Sequence, residues 1–269
     1  MKYLIPSALT LGSILCGWYV IIVSLKGFQD VSNPEHAALF FNHASQAIGL
    51  AIILDNLDGR VARMLGATTL FGIELDSIAD ALTFGSASAV LAYAWSIGSM
   101  PTMEIPAFGV TFLFVACGAL RLARSNLHAH YKRSDEALSN QEDFYFVGLP
   151  IPAAAGMLAA MVHFSSSPIG GRLATGALSA EDARFYALLV IAVILLLSLL
   201  MVSTFSYSKL KIRPRGNKSL SVLNRLVFPL IVLMIATGVW FNSRWVVLIL
   251  ASLYVIHGPL LKFGQLLKR

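Results

Sequence analysis

Asp55-Asn56-Leu57-Asp58-Gly59-Arg60-Val61-Ala62-Arg63, followed by Gly72, Asp76 and Asp80, sets four carboxylates at the junction of two apolar stretches, about 38–57 and 70–97. At ~1.5 Å per residue each stretch is long enough to cross a ~30 Å hydrocarbon layer. The rest of the chain has the same character. Of its 269 residues 57% are apolar and 13% charged, with a mean hydropathy of +0.74, where soluble domains carry about 25% charged residues. An ordinary water-soluble domain is excluded, and so is disorder, whose precondition is low hydrophobicity. The apolar runs are continuous rather than alternating, which excludes a membrane β-barrel. The expected fold is all-α, a polytopic membrane helical bundle.

Outward from the quoted stretch, about eight transmembrane helices can be drawn, at 9–25, 38–57, 70–97, 106–122, 147–164, 185–205, 223–241 and 245–263. The first follows a single Lys2 and lacks a small-x-small cleavage signal, so it is read as retained. In this drawing 16 Lys and Arg residues fall on the side of the N-terminus and 4 on the other. The positive-inside rule then puts both termini in the cytoplasm. The net charge of +6 lies between apolar segments, where it meets anionic lipid, and no nucleic-acid partner is expected. The loop 206–221 carries Lys209, Lys211, Arg213, Arg215 and Lys218; a surface strip against the anionic leaflet and a specific phosphate site are its two readings. Cys16 and Cys117 lie within apolar runs, so neither a disulfide framework nor a zinc site is expected.

Each ionised carboxylate costs about 2.5–3.5 kcal/mol at mid-membrane and less near the interface, so four together need compensation. At ~100° per residue, Asp55 and Asp58 share one helix face, and Asp76 and Asp80 share a face of the next helix. Gly59 and Ala62 lie on the face of the first pair and Gly72 one turn before the second, which clears space beside the acids. Glu74 points away. Arg60 and Arg63 are too few to neutralise four acids, and like charges this close call for a cation. Oxygen-only ligands select Mg²⁺ or Mn²⁺, which bridge carboxylates to substrate phosphates. The residues therefore read as a site for two divalent cations at the cytoplasmic membrane face, acting on a phosphorylated substrate. Two other readings compete: salt bridges to Arg60, Arg63, Arg121 or Arg124, and a cation-coupled transporter. A transporter spreads its acids through the membrane depth, whereas these cluster at one level.

The run Asp55-x2-Asp58-Gly59-x2-Ala62-Arg63-x8-Gly72-x3-Asp76-x3-Asp80, eight fixed positions over 26 residues, resembles the complete signature of the CDP-alcohol phosphatidyltransferases. Those membrane enzymes move a phosphatidyl group from a CDP-linked lipid to an alcohol and release CMP. The resemblance implies that Asp55, Asp58, Asp76 and Asp80 bind two metal ions and that Asp80 also takes the proton of the attacking hydroxyl. It implies that Gly59, Ala62, Arg63 and Gly72 hold the cytidine diphosphate, and that the protein is a homodimer. Small residues that admit a flat base and an Arg fork for a pyrophosphate agree with it.

Outside the signature, Ile5-Pro6 with Thr10, Cys16-Gly17, the run from Cys117 to Asn126, the run from Gly148 to Gly156 and Leu200-Met201-Val202-Ser203 are similar to the phosphatidylserine synthase branch of that family. The chain departs from that branch at Ser7, Ser13 and Ser125, and Ser86-Ala87-Ser88-Ala89 lacks its usual Pro. The resemblance implies CDP-diacylglycerol as donor and L-serine as acceptor, with glycerol phosphate, inositol phosphate or choline as alternative acceptors. A zwitterionic acceptor brings a carboxylate, and Arg121 and Arg124, three apart on one face, are the expected clamp. The organisation expected is a single integral membrane domain over 1–269. Its six-helix family core is 1–205, and 206–269 adds a basic cytoplasmic loop and a two-helix extension. The protein is expected in the cell membrane with its active site facing the cytoplasm.

Overall fold

A computed structural model describes residues 4–97, 100, 103–134, 145–208 and 244–266. Helix α1, Leu4–Gln29, buries Thr10, Ser13, Gly17, Val20, Ser24 and Gly27 and turns Leu11, Leu15, Trp18, Ile22 and Leu25 outward. Small residues inside at alternating spacings of three and four, with large apolar ones outside, invert the soluble pattern and suit a helix whose solvent is lipid. Helix α2, Pro34–Met64, begins where the Asn33 side chain accepts a hydrogen bond from the His36 backbone N–H and Pro34 takes the first turn. The short connection makes α1 and α2 an antiparallel hairpin, and Asp30 pairs with His36 across it.

Helix α2 stops in a Schellman motif: the N–H of Ala67 reaches the Ala62 carbonyl at 2.9 Å and that of Gly66 the Arg63 carbonyl at 3.4 Å. Gly66 has φ +60°, a conformation that costs glycine little. Helix α3 spans 70–97. It is α-helical over Leu70–Asp80, π-helical over Ala81–Ala87, α-helical over Ser88–Ala92 and π-helical over Tyr93–Ile97. Within its first wide segment the Ser86 and Ser88 hydroxyls reach the carbonyls five residues back, Ala81 and Thr83. The Thr83 hydroxyl donates to the Ser13 carbonyl of α1 at 3.1 Å, and a Cβ at Gly17 would lie 2.8 Å from Thr83. The π segment that follows Asp80 is thus held against α1.

Helices α4 (Glu104–Ser134), α5 (Ile151–Phe164), α6 (Ile169–Ala174), α7 (Ala180–Val202) and α8 (Arg244–Leu266) complete the described bundle. Strand β1, Tyr145–Val147, pairs antiparallel with β2, Ser206–Ser208, and Phe146 faces Tyr207 in register. This three-residue pairing is the one non-helical addition to the expected all-α fold among the described residues. It is tied down by Gly148, at φ +81°, whose N–H donates to the Phe205 carbonyl at 2.8 Å. A Cβ there would sit 2.3 Å from the Met201 carbonyl oxygen. The Gly148–Pro152 run therefore works as a helix entry, with Pro150 just before α5 and Pro152 in its first turn.

Among the described residues, five helices are long and apolar enough to cross a membrane: Leu4–Gln29, Pro34–Met64, Leu70–Ser96, Glu104–Leu127 and Ala180–Val202. They coincide with the expected first four spans and the sixth. The expected fifth span is helical only over the 14 residues of α5, about 21 Å of rise, because Gly148 and Pro150 delay its start. The eighth lies within α8. The expected seventh span, 223–241, and the basic residues Lys209 to Lys218 lie outside the described residues.

Helix α8 docks through one internal proline. Pro259 has no N–H to give the Val255 carbonyl four residues back, and the Tyr207 hydroxyl of β2 donates to that carbonyl at 3.1 Å. Gly258 makes room, since a Cβ there would lie 2.4 Å from the Tyr207 ring. Tyr207 is fully buried, and burial pushes its phenol up to about 12, so it stays a donor at any working pH. At the other end of α8 the Trp245 ring meets Phe164 of α5 edge-on, centroids 4.5 Å apart.

Candidate active site

Thr10 stands six residues after the start of α1, Asp58 six before the end of α2 and Asp76 six after the start of α3. All three are about 9 Å from a helix end on one side of the bundle. Because α2 and α3 run antiparallel through the Gly66 turn, Asp58 is level with Asp76, and Asp55 with Asp80. Carboxylate oxygens of Asp55, Asp76 and Asp80 lie within 4.8 Å of one another, a group that could hold a metal ion. The Asp55 and Asp80 carboxyl groups are within hydrogen-bonding reach. Asp58 stands beside this group, near enough to Asp55 and Asp76 for their charges to interact. Its own carboxylate accepts the Thr10 hydroxyl at 2.8 Å, and both residues are buried.

The start of α3 is set by Thr69, whose hydroxyl accepts the Gly72 N–H at 3.0 Å. Gly72 is thus tied to the cap, and its missing side chain leaves the face below Asp76 low. Gly59 and Arg63 are exposed at the end of α2 and Ala62 is partly buried. A Cβ at Gly59 would meet nothing closer than the Arg63 guanidinium at 4.0 Å. Of the four residues expected around a nucleotide, Gly59 and Arg63 are thus exposed and Ala62 and Gly72 partly buried, on the two helix ends that bear the acids. Glu74 is exposed, in keeping with its expected outward direction.

The two arginines of the expected acceptor clamp are placed differently. Arg121 of α4 is 7% exposed and lies within electrostatic reach of Asp80 and Asp55. Arg124, one turn on, directs its guanidinium to the last carbonyls of α7, donating to Val202 at 3.0 Å and to Met201 and Ser203 at 3.3 Å each. A cation on a helix C-terminus offsets the partial negative charge there. The Asn126 side-chain amide donates to the Ser77 hydroxyl at 2.9 Å, which joins α4 to the turn between Asp76 and Asp80.

Two contacts at this site were not read from the sequence. Thr10 and Asp58 are 48 residues apart and Ser77 and Asn126 are 49 apart, beyond any periodicity. The signal open to sequence reading was a hydroxyl on the buried stripe of α1 at the level of an unexplained acid. Tyr254 of α8, which lies within electrostatic reach of Arg121, carries no such signal.

The sequence model of the CDP-alcohol phosphatidyltransferases matches residues 3–206, a segment that holds every acid of the cluster. The chain belongs to that family. Among its relatives, a Helicobacter pylori protein is 29% identical over 265 residues, covering 95% of this chain and 90% of its own. A Mycobacterium leprae protein is 37% identical over 167 residues, 61% of this chain and 49% of its own. One from Bacillus subtilis is 32% identical over 171 residues, 63% of this chain and 80% of its own. All three carry the name CDP-diacylglycerol–serine O-phosphatidyltransferase. The CDP-alcohol phosphatidyltransferase family is one of phosphotransferases, and this member is an enzyme of that class.

Proposed function

We propose that the protein moves the phosphatidyl group of CDP-diacylglycerol to the hydroxyl of L-serine and releases CMP, using two divalent cations, Mg²⁺ or Mn²⁺. The observation that carries this reading is the carboxylate group of Asp55, Asp76 and Asp80 inside the segment matched to the family. Its donors are all hard oxygens, which suits those ions, and Asp58 is level with them to complete the set. When bound, such ions neutralise charge on the pyrophosphate and polarise it. The names of the relatives support serine as the acceptor.

The remaining work falls to this chain's own residues. Gly59, Ala62 and Gly72 leave room for the cytidine, and the exposed Arg63 fork meets the pyrophosphate. Serine Oγ attacks the lipid-linked phosphorus while the bond from phosphorus to the CMP oxygen breaks, its electron pair leaving with CMP. Asp80 takes the hydroxyl proton. Arg121, beside Asp80, holds the serine carboxylate, and Arg124 supports that edge from the end of α7. The catalytic end of the bundle faces the cytoplasm, as the bias of basic residues requires, within an eight-span chain that works as a homodimer in the cell membrane.

The test is formation of phosphatidylserine and CMP by purified protein in detergent. Product is expected with Mg²⁺ or Mn²⁺, none after chelation, and return on adding the ion back. Asp55→Asn, Asp58→Asn and Asp76→Asn should each abolish turnover while the protein still inserts, because removing a membrane charge eases insertion. Full activity of any one of them at saturating metal would contradict the assignment.

A further inference from the structure

We propose that Asn126 of α4, through its hydrogen bond to Ser77, is a positioning residue for the acidic group of the active site, setting the rotation of the α3 turn that carries Asp76 and Asp80. The proposal rests on the reading of those acids as a cation site. Ser77 follows Asp76 directly and precedes Asp80 by three residues, so all three ride on one stretch of the same helix. The Asn126 amide donates to the Ser77 hydroxyl at 2.9 Å, and that hydroxyl can in turn donate to the Ile73 carbonyl, one turn back at 3.0 Å. The amide oxygen of Asn126 lies 3.2 Å from the same hydroxyl, so the carboxamide meets Ser77 with both of its polar atoms. Both residues are partly buried, while Ser125 and Leu127 on either side of Asn126 are exposed. The pair bridges two helices, and neither residue belongs to the acidic group.

The bond acts where packing does little to hold the helix. Of the 11 residues of the α-helical segment Leu70–Asp80, Ala79 alone is buried, and Leu70, Phe71 and Ile78 are 56–71% exposed. The segment that follows, Ala81–Ala87, is π-helical. Its wider turn interrupts the α-helical register, so the Thr83 anchor on α1 does not by itself fix the angle at which Asp76 and Asp80 leave α3. The Thr69 cap sets where α3 begins, not how it is turned. Asn126 reaches the segment from a different helix and stops its rotation. A carboxylate oxygen stands about 5–6 Å from its helix axis, so a rotation of about 10° carries it about 1 Å, several times the ~0.2 Å tolerance of a metal–oxygen bond. Asp55 is on α2 while Asp76 and Asp80 are on α3, and their oxygens lie within 4.8 Å of one another; a turn of α3 alone changes that spacing. A neutral amide suits the task, since a carboxylate there would add to the like charge and an ammonium would compete with a cation for the acids.

The experiment is a double-mutant cycle on purified full-length protein in detergent, without substrate. Mn²⁺ binding is titrated through the paramagnetic resonance signal of the free ion, and thermal unfolding is followed in chelator. Asn126→Leu keeps the bulk and removes the amide, and Ser77→Ala removes the hydroxyl. Each should weaken Mn²⁺ binding about tenfold and leave the melting temperature in chelator unchanged. The double variant should bind no more weakly than either single one, since the two residues act as one, and Ser77→Thr, which keeps the hydroxyl, should bind as the wild type does. Unchanged Mn²⁺ affinity in both single variants, losses that multiply in the double variant, or a Ser77→Thr protein that binds as weakly as Ser77→Ala would each overturn the proposal. So would a loss of affinity that comes with a lower melting temperature in chelator, which is the mark of a packing role. The wild-type titration separates the proposal from the reading it rests on. Wild-type protein that binds no Mn²⁺ would overturn the cation site and the proposal together, whereas wild-type binding that the variants leave untouched would overturn the proposal alone.

Discussion

Asp58 and Asp80 show how neighbours divide four similar carboxylates into different tasks. Asp58 is buried with the Thr10 hydroxyl on it at 2.8 Å, a contact that holds the side chain in one rotamer while leaving lone pairs for other partners. Thr10→Val keeps the shape and removes the donor, and an unsatisfied buried carboxylate costs about 1–3 kcal/mol. The melting temperature should fall by several degrees in detergent, and Thr10→Ser should restore it. Asp80 instead faces Asp55 and Arg121 across the helix interface. In its proposed role as the base, it would contribute through proton transfer, which is worth about 10²–10⁴-fold in rate. Asp80→Asn should lose that factor in kcat with little change in the KM for CDP-diacylglycerol. A variant that keeps its rate and loses donor binding would make Asp80 a ligand alone.

Among the elements, the helices that bear the acids were legible because their physics is local. Apolar runs of membrane length set α1 to α4 and α7, and the i+3 and i+4 spacings of Asp55, Asp58, Asp76 and Asp80 put the acids on facing surfaces. The π-helical turns after Asp80 were not legible, since they depend on Gly17 of α1 admitting Thr83, a contact between residues 66 apart in sequence. The β1–β2 pairing was equally hidden, as three residues per strand give no period to detect. Docking of α8 has a partial signature, a proline inside an apolar helix, but the hydroxyl that answers it comes from Tyr207, 48 residues before the Val255 carbonyl it meets. Tyr207→Phe should leave the Val255 carbonyl bare and cost about 1–3 kcal/mol, seen in thermal unfolding. Pro259→Ala returns a helical N–H to that carbonyl, so the Tyr207→Phe penalty should shrink in that background. A penalty of the same size in both backgrounds would show that the carbonyl is not what Tyr207 serves.

At the scale of the whole molecule, three helix ends, those of α1, α2 and α3, bring a hydroxyl and four acids to one level on one side of the bundle, with Arg121 of α4 among them. The bias of basic residues in the sequence is the ground for proposing that this side faces the cytoplasm, where CMP would leave into water while the lipid product stayed in the membrane. An ion or proton route would instead need acids spread along the bundle's depth, and among the described residues the acidic group that could hold a metal ion lies at one end. The most direct measurement is CMP release from CDP-diacylglycerol in detergent with divalent metal present and a panel of alcohols: L-serine, glycerol phosphate, inositol phosphate and choline. The account predicts stoichiometric CMP and phosphatidylserine with L-serine and neither with the others. CMP released only with another alcohol would contradict the choice of acceptor, and none with any alcohol would contradict phosphatidyl transfer itself.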